Sequence, residues 1–331
     1  MRRIRIAQIG TSGHSHGKEI FFTLKNNPDV FEIVGYTLPE GEREKFPDRM
    51  KVFEGFREMT LKEILDDESI EAVTVETEEI YLTKYAQMAA DKGKHIHMEK
   101  PGGASLEEFE RLIDTVKRNG KVFHTGYMYR YNPAVKDILG RIKAGEIGDV
   151  VCVEADMSCR HGYELTRWIS DLPGGMMFYL GCHMVDLALQ IRGIPERVIP
   201  FNKSSGRFAD LDSKDFSMAV LEYPNGTSTV KTTAVECGGF TRRRLIVTGT
   251  EGRFEIMPIE RTIKYPLQYT EYSECKESQW GADAEFKRSE DHDRYASMMR
   301  SFALYVAGES DNPFTCDYEL ELYKTLMKCC E

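Results

Sequence analysis

The sequence predicts an α/β protein of two domains, a doubly wound parallel sheet followed by a strand-rich α+β domain. Three observations predict it. Short apolar strands and helix-like stretches alternate from residue 4 to residue 125, a rhythm that calls for a parallel sheet covered by helices on both faces. A glycine-bearing turn, Gly10-Thr11-Ser12-Gly13-His14, joins the first strand to the first helix. At 331 residues the chain also exceeds the ~250 residues at which one core stops growing. The change of rhythm after Thr125 sets the domains at 1–125 and 126–331.

The elements follow in order. Residues 4–9 alternate as a strand, and a helix is expected over 18–25, ending at Asn26-Asn27-Pro28. Strand, glycine turn and helix is the setting in which a pyrophosphate rests on a helix N-terminus. Ser12 and Ser15 stand where the dinucleotide fingerprint has its second and third glycines, and serine is small enough to admit a phosphate. Residues 31–37 form the second strand, 51–53 a short third one, and 60–66 a helix capped by Thr60. A buried strand over 70–75 and a helix over 80–92 precede the strand His95-Ile96-His97-Met98, which stops at Glu99-Lys100-Pro101-Gly102-Gly103. Ser105 caps the next helix, and 122–125 is the last strand of the series. Beyond it we expect a helix over 132–144, a strand over 148–157, an irregular binding segment over 158–175 and a helix over 176–192. Strands over 215–222, 228–235, 243–248 and 253–256, a polar surface loop over 269–289, and helices over 293–307 and 318–329 complete the chain.

Composition excludes some classes of function. A formal net charge of −10 argues against nucleic acid as a partner. No apolar run approaches the ~20 residues of a membrane span. Eight scattered cysteines without a C-x-x-C pair read as reduced thiols, which together with the absence of a signal-like leader gives a cytoplasmic expectation. His14-Ser15-His16 and His95-Ile96-His97 lack a third ligand at metal-binding spacing, so no metal is expected.

Lys100 carries the strongest chemical signal. In open α/β sheets ligands bind at the carboxyl ends of strands, and a lysine fixed there can have its pKa lowered toward acid/base work. With Glu99-Lys100-Pro101 following a nucleotide-type turn, the chain resembles the glucose–fructose oxidoreductase and inositol dehydrogenase (Gfo/Idh/MocA) family. The similarity covers nearly the whole chain and includes Arg130-Tyr131-Asn132-Pro133, Gly145-Glu146-Ile147-Gly148, the Gly174–Asp186 segment with its Gly-x-His-x-x-Asp pattern, and Val247–Gly252.

The resemblance implies an N-terminal Rossmann domain for NAD or NADP and a C-terminal domain with a large mixed, open-faced sheet. That sheet would make a homodimer or homotetramer. It further implies a polyhydroxylated small-molecule substrate such as a sugar or cyclitol. The implied cofactor contacts are Gly10, Thr11, Ser12, Gly13, His14, Thr37, Leu38, Thr77, Glu78, Glu99 and Lys100. Lys100 would act as acid/base with His183. The aspartate that the family places four residues before that histidine is Tyr179 here, taken as the third catalytic residue. Arg160, Tyr163, Arg167, Trp168 and His183 make a sugar- or acid-binding palette.

Two departures bear on the cofactor. Leu38 occupies the place of the ribose-binding acid, and Thr77-Glu78-Glu79 stands where relatives carry Thr-Pro and a polar residue. From Leu38 alone, discrimination between NAD and NADP should be weak, or favour NADP if Arg43 reaches a 2′-phosphate. The leading reading is an NAD(P)-dependent oxidoreductase. A nucleotide-binding sensor that lost turnover and an NAD-assisted glycoside hydrolase are the alternatives.

Overall fold

In the computed structural model, which describes residues 2–331, the chain divides by its contacts into two compact units. One comprises residues 2–128 with Tyr295–Tyr323, the other Tyr129–Arg294 with Lys324–Glu331. The segment 295–323, read from sequence as part of the second domain, therefore packs with the first. The apolar faces of its helices fit the first unit's exposed flank, a long-range pairing that local periodicity does not encode.

The first unit begins with β1 (Ile4–Ile9), α1 (Gly17–Lys25) and β2 (Phe31–Thr37). A single turn, α2 (Glu42–Lys45), then leads to α3 (Leu61–Asp66), β3 (Ala72–Val75), α4 (Leu82–Asp91) and β4 (His95–Met98). It continues with α5 (Leu106–Asn119) and β5 (Phe123–Thr125). The five strands lie parallel in the order β2-β1-β3-β4-β5. β3 is buried at every position, as expected for a strand covered on both faces. Thr60 and Glu63 form a reciprocal capping box at α3, and Ser105 caps α5, which stops at Gly120 in the left-handed region. The third strand expected over 51–53 is instead the end of a 3-10 turn, Pro47–Phe53. Its Phe53 stacks on Tyr36 at 4.3 Å and meets Phe21 at 4.5 Å, and so short an apolar run has no period to separate turn from strand.

The second unit contains α6 (Pro133–Lys143), capped by Asn132, then β6 (Val150–Asp156), α7 (Tyr163–Ser170) and α8 (Cys182–Arg192). Strands β7 (Arg197–Lys203), β8 (Phe216–Tyr223), β9 (Gly226–Thr233), β10 (Arg244–Gly249) and β11 (Arg253–Ile256) follow. Three short strands, β12 (Arg261–Lys264), β13 (Leu267–Tyr269) and β16 (His292–Asp293), make a separate small sheet. β14 (Glu271–Cys275) and β15 (Glu285–Arg288) extend the main one. The eight-stranded sheet runs β15-β14-β11-β10-β6-β9-β8-β7 and is mixed, because β6 and β9 pair in parallel while its other pairs are antiparallel. α8 packs on β6 and β9. β8 alternates buried Ser217, Ala219, Leu221 and Tyr223 with part-exposed Phe216, Met218, Val220 and Glu222, so one sheet face is covered and the other is not.

Three expectations are corrected here. The loop over 269–289 contains β14 and β15, whose polar, part-exposed side chains hide the period-2 signal. The irregular segment over 158–175 contains α7. The helix over 176–192 opens with a π turn, Met177–Gly181, before α8. Helices α9 (Ala296–Ala307) and α10 (Cys316–Cys330) close the chain. Among the described residues no helix is long and apolar enough to cross a membrane.

Candidate active site

The first unit gathers its candidate residues at the carboxyl ends of β1, β3 and β4. Gly10 follows β1 with φ +89°, and a Cβ there would lie 2.6 Å from Thr77 Cγ2 and 2.7 Å from the Thr77 nitrogen. Only glycine admits that approach. Gln8 pins the turn by donating to the carbonyls of Gly10 and Gly17, each at 2.9 Å. The Ser12 amide donates to the Glu76 carbonyl at 2.9 Å, and the Ser15 hydroxyl to the same carbonyl at 2.8 Å. Ser15 thus holds the turn in place, while Gly17 supplies the close approach: a Cβ on it would meet Thr11 Cα at 2.9 Å. The fingerprint spacing points to position 15, two residues short of Gly17, which the spacing does not find. His14 is half-buried, and burial with the nearby Arg49 lowers its pKa to about 4.

Lys100 is buried, and its Nζ lies 3.6 Å from Glu99 Oε1. Glu99 Oε2 is 3.0 Å from His16 Nδ1. Glu79, in the turn after β3, is buried with neither carboxyl oxygen hydrogen-bonded; burial pushes its pKa to about 8 against the opposing pull of Lys100. Glu76 is raised well above the usual range by burial and by Glu99. His97, lowered by burial to about 4, lies with Nδ1 2.7 Å from His124 Nδ1 and Nε2 3.5 Å from Glu76 Oε1. At neutral pH this leaves Glu99 ionised beside the lysine and Glu79 mostly protonated, while burial and Glu99 push Glu76 in the same direction as Glu79. The sequence marks Glu78 as a cofactor contact but gives no role to Glu76 or Glu79, because an unbroken Glu-Thr-Glu-Glu run looks solvated until its burial is known.

Thr37 ends β2 and Leu38 follows it. Leu38 packs against the cluster of Phe21, Tyr36, Val52 and Phe53, and Arg43 is paired with Glu58 while donating to the Tyr36 hydroxyl at 3.3 Å. An acid stands nearby all the same: Glu42 Oε2 accepts from the Thr11 amide at 2.8 Å.

In the second unit, His183 is buried at the start of α8 with its ring 5.2 Å from that of Tyr129. The Tyr129 hydroxyl donates to Glu260 Oε1 at 2.7 Å. Burial alone would raise Glu260, but Arg294 and Arg243 outweigh it and hold the carboxylate at about 2. Arg130 donates to both oxygens of Asp186, at 2.8 Å and 3.0 Å, in a fully buried fork. The Arg-Tyr-Asn-Pro and Gly-x-His-x-x-Asp motifs are thus two halves of one salt bridge that fixes α8. Tyr179 lies on the π turn, its ring 5.3 Å from Trp168 and 6.0 Å from His161. Tyr163 donates to Asp210 Oδ2 at 2.6 Å, Arg160 donates to Cys237 Sγ at 2.9 Å, and Arg167 is exposed on α7. Of the sequence-named palette, Trp168 is gathered with Tyr179. Among the described residues no cluster of His, Cys, Asp or Glu is placed to hold a metal ion.

Residues 4–127 match the family model described as the oxidoreductase family, NAD-binding Rossmann fold, and residues 135–255 match the GFO/IDH/MocA C-terminal domain. The chain belongs to the Gfo/Idh/MocA oxidoreductase family. Its first unit is an NAD(P)-binding Rossmann domain. The NADP-dependent D-xylose 1-dehydrogenase 2 of Haloferax volcanii is 29% identical over 197 residues, covering 59% of each chain. The NAD-dependent scyllo-inositol 2-dehydrogenase of Bacillus subtilis is 33% identical over 131 residues, 40% of this chain and 38% of its own. These matched stretches span well under two thirds of either relative's length. Among solved structures, the 3-ketoreductase KijD10 of Actinomadura kijaniata, in complex with NADP and TDP-benzene, has a TM-score of 0.80 at 17% identity, covering 98% of this chain and 96% of that one. An oxidoreductase from Thermotoga maritima gives 0.79 at 18%, covering 100% and 96%. At such identities the fold is what is shared.

Proposed function

We propose that this protein is an NAD(P)-dependent oxidoreductase acting on a CH–OH group, or the matching carbonyl, of a sugar, cyclitol or related polyol. One observation carries the reading: a buried lysine at the carboxyl end of β4, with an ionised Glu99 at 3.6 Å and a protonated Glu79 in its field. The turn fits a dinucleotide, since Gly10 and Gly17 leave no room for side chains and the segment between them has the small residues a pyrophosphate needs. Gly10 through His14, with Thr77 and Glu78, would hold the cofactor, which supplies the hydride acceptor or donor when bound.

The chain's own residues manage the proton. In the oxidative direction Lys100 as free amine takes the hydroxyl proton; in the reductive direction its ammonium returns it. The Glu99 carboxylate, 3.6 Å away, favours the ammonium by its charge, and the desolvated setting opposes it. His183, held by α8 and its contact with Tyr129, is the second acid/base group, and Tyr179 offers a hydroxyl that can donate or accept. We place the enzyme in the cytoplasm and as a homodimer or homotetramer through the uncovered face of the eight-stranded sheet.

The relatives named above, a xylose and an inositol dehydrogenase, support the substrate class. Turnover of NAD or NADP across a panel of aldoses, cyclitols and their ketones tests the reading. Reduction or oxidation of the nicotinamide with at least one member is the expected result. Tight binding without turnover would indicate a sensor, and sugar release without net reduced cofactor a hydrolase.

A further inference from the structure

We propose that Glu42 selects the adenosine ribose of the cofactor, so that this chain takes NAD in preference to NADP. The inference rests on the cofactor reading above and goes beyond it, because β2 ends without the acid that dinucleotide domains use to hold a ribose 2′-hydroxyl.

The chain restores that acid from four residues further on. Leu38 is turned into the apolar cluster around Phe21 and Phe53, so the position after the strand end offers no acid. After the turn at Pro39–Gly41 the backbone doubles back, and Glu42 reaches the glycine turn after β1. Its Oε2 accepts from the Thr11 amide at 2.8 Å, which places the carboxyl between the ends of β1 and β2. Its Oε1 is buried and has no hydrogen-bond partner. A buried carboxyl oxygen in that state is under-satisfied, and a ribose hydroxyl is the donor that the site's position would bring to it.

The charges around it oppose a 2′-phosphate. Arg43, the cation next in sequence, is paired with Glu58 and bonded to Tyr36. Arg49 spends its guanidinium on the carbonyls of Gly13 and Ser15, at 2.8 Å and 3.2 Å. Glu40 is paired with Lys84 and bonded by the Tyr85 hydroxyl. The charged groups acting on Glu42 are Glu78, Glu40 and Lys45, two anions against one cation, and Thr11 is its backbone partner. Burial raises Glu42 to about 8, so its charge, and with it the rejection of a phosphate, grows as the solution becomes alkaline.

Calorimetric titration of the whole protein with NAD and with NADP tests this without any turnover. The expected result is tighter binding of NAD by roughly tenfold or more. That ratio should widen between about pH 7 and pH 9 as Glu42 ionises. Glu42→Gln keeps the size and an oxygen for the Thr11 amide while removing the charge, and should bring the ratio toward unity and flatten its pH dependence. A ratio unchanged in Glu42→Gln would overturn the proposal and leave Glu42 as a loop clasp. If that variant does not fold, the wild-type ratio decides: equal affinities, or a preference for NADP, overturn the proposal and leave the oxidoreductase reading standing. Binding of neither dinucleotide would overturn both.

Discussion

Glu99 joins the start of the first helix to the lysine after β4: its Oε2 lies 3.0 Å from His16 Nδ1 and its Oε1 3.6 Å from Lys100 Nζ. Burial would push this carboxyl up, but the charges of His16, Lys100 and His97 outweigh it and hold it at about 2. Its folded pKa is depressed, so the stability it contributes is present above the ordinary carboxylate range and is lost as pH falls toward 2. Glu99→Gln removes the anion that favours the lysine ammonium. The pH–rate profile for alcohol oxidation should then shift its acid limb to lower pH. An unmoved limb would show that Glu99 does not tune Lys100.

Lys100→Ala should lower kcat by about 10²–10⁴-fold, the usual worth of a positioned acid/base group. Dinucleotide affinity, measured by titration, should change little, because the glycine turn is untouched. Retention of near wild-type kcat on a true substrate would remove Lys100 from the mechanism.

Tyr179→Phe keeps the ring between Trp168 and His161 and deletes only the hydroxyl. We expect kcat to fall about 10–1000-fold with the melting temperature nearly unchanged. A variant as active as wild type would make Tyr179 a packing residue and leave the proton chemistry to Lys100 and His183.

Glu79→Gln separates charge burial from site architecture. The folded pKa of Glu79 is raised to about 8, so the folded state holds a proton that the unfolded chain has released above the ordinary carboxylate range. Stability from this group is complete at low pH and declines as pH rises from about 4.5 to about 8. The glutamine variant should match wild type near the acid end and be more stable at the alkaline end, by a few kcal/mol at most. Denaturant melts at both ends check it; a constant difference across the range would contradict the assignment.

Gly10→Ala places a methyl 2.6 Å from Thr77 Cγ2 on a backbone at φ +89°. It should cost ~1–3 kcal/mol of stability and weaken dinucleotide binding together. Binding that survives at full strength would mean that the turn does not cradle the cofactor.

Much of the fold was legible in the order of strands and helices, because buried parallel strands such as 72–75 are short, mostly apolar runs flanked by amphipathic helices. The signature around Lys100 was legible for a similar reason: Gly10 and the Glu-Lys-Pro strand end are local features. What escaped was long-range. Glu42 sits in a run, Glu42-Arg43-Glu44-Lys45, that reads as a solvated face until Thr11 is found beneath it. Asp186 and Arg130, 56 residues apart, show their purpose only as a pair. β14 and β15 bury too little on either face to leave a pattern. The π turn at Met177–Gly181 left no mark in composition at all.

The division of the first unit between 2–128 and Tyr295–Tyr323 has a consequence for how the protein is made. A ribosome delivers the parallel sheet first and then works through the whole second unit before the final pieces emerge. Until they do, His97 and His124 lack Phe302, whose ring lies 5.9 Å and 5.3 Å from theirs, and Phe109 lacks the Tyr323 ring stacked on it at 4.3 Å. The Gly103 carbonyl likewise waits for the Tyr323 hydroxyl. A nascent chain stalled before residue 295 therefore holds a Rossmann sheet with an unsealed apolar flank, open to chaperones or to other such chains. A fragment cut at residue 128 inherits the same exposed surface permanently, and adding 295–323 to it as a separate peptide should restore what vectorial synthesis supplies last.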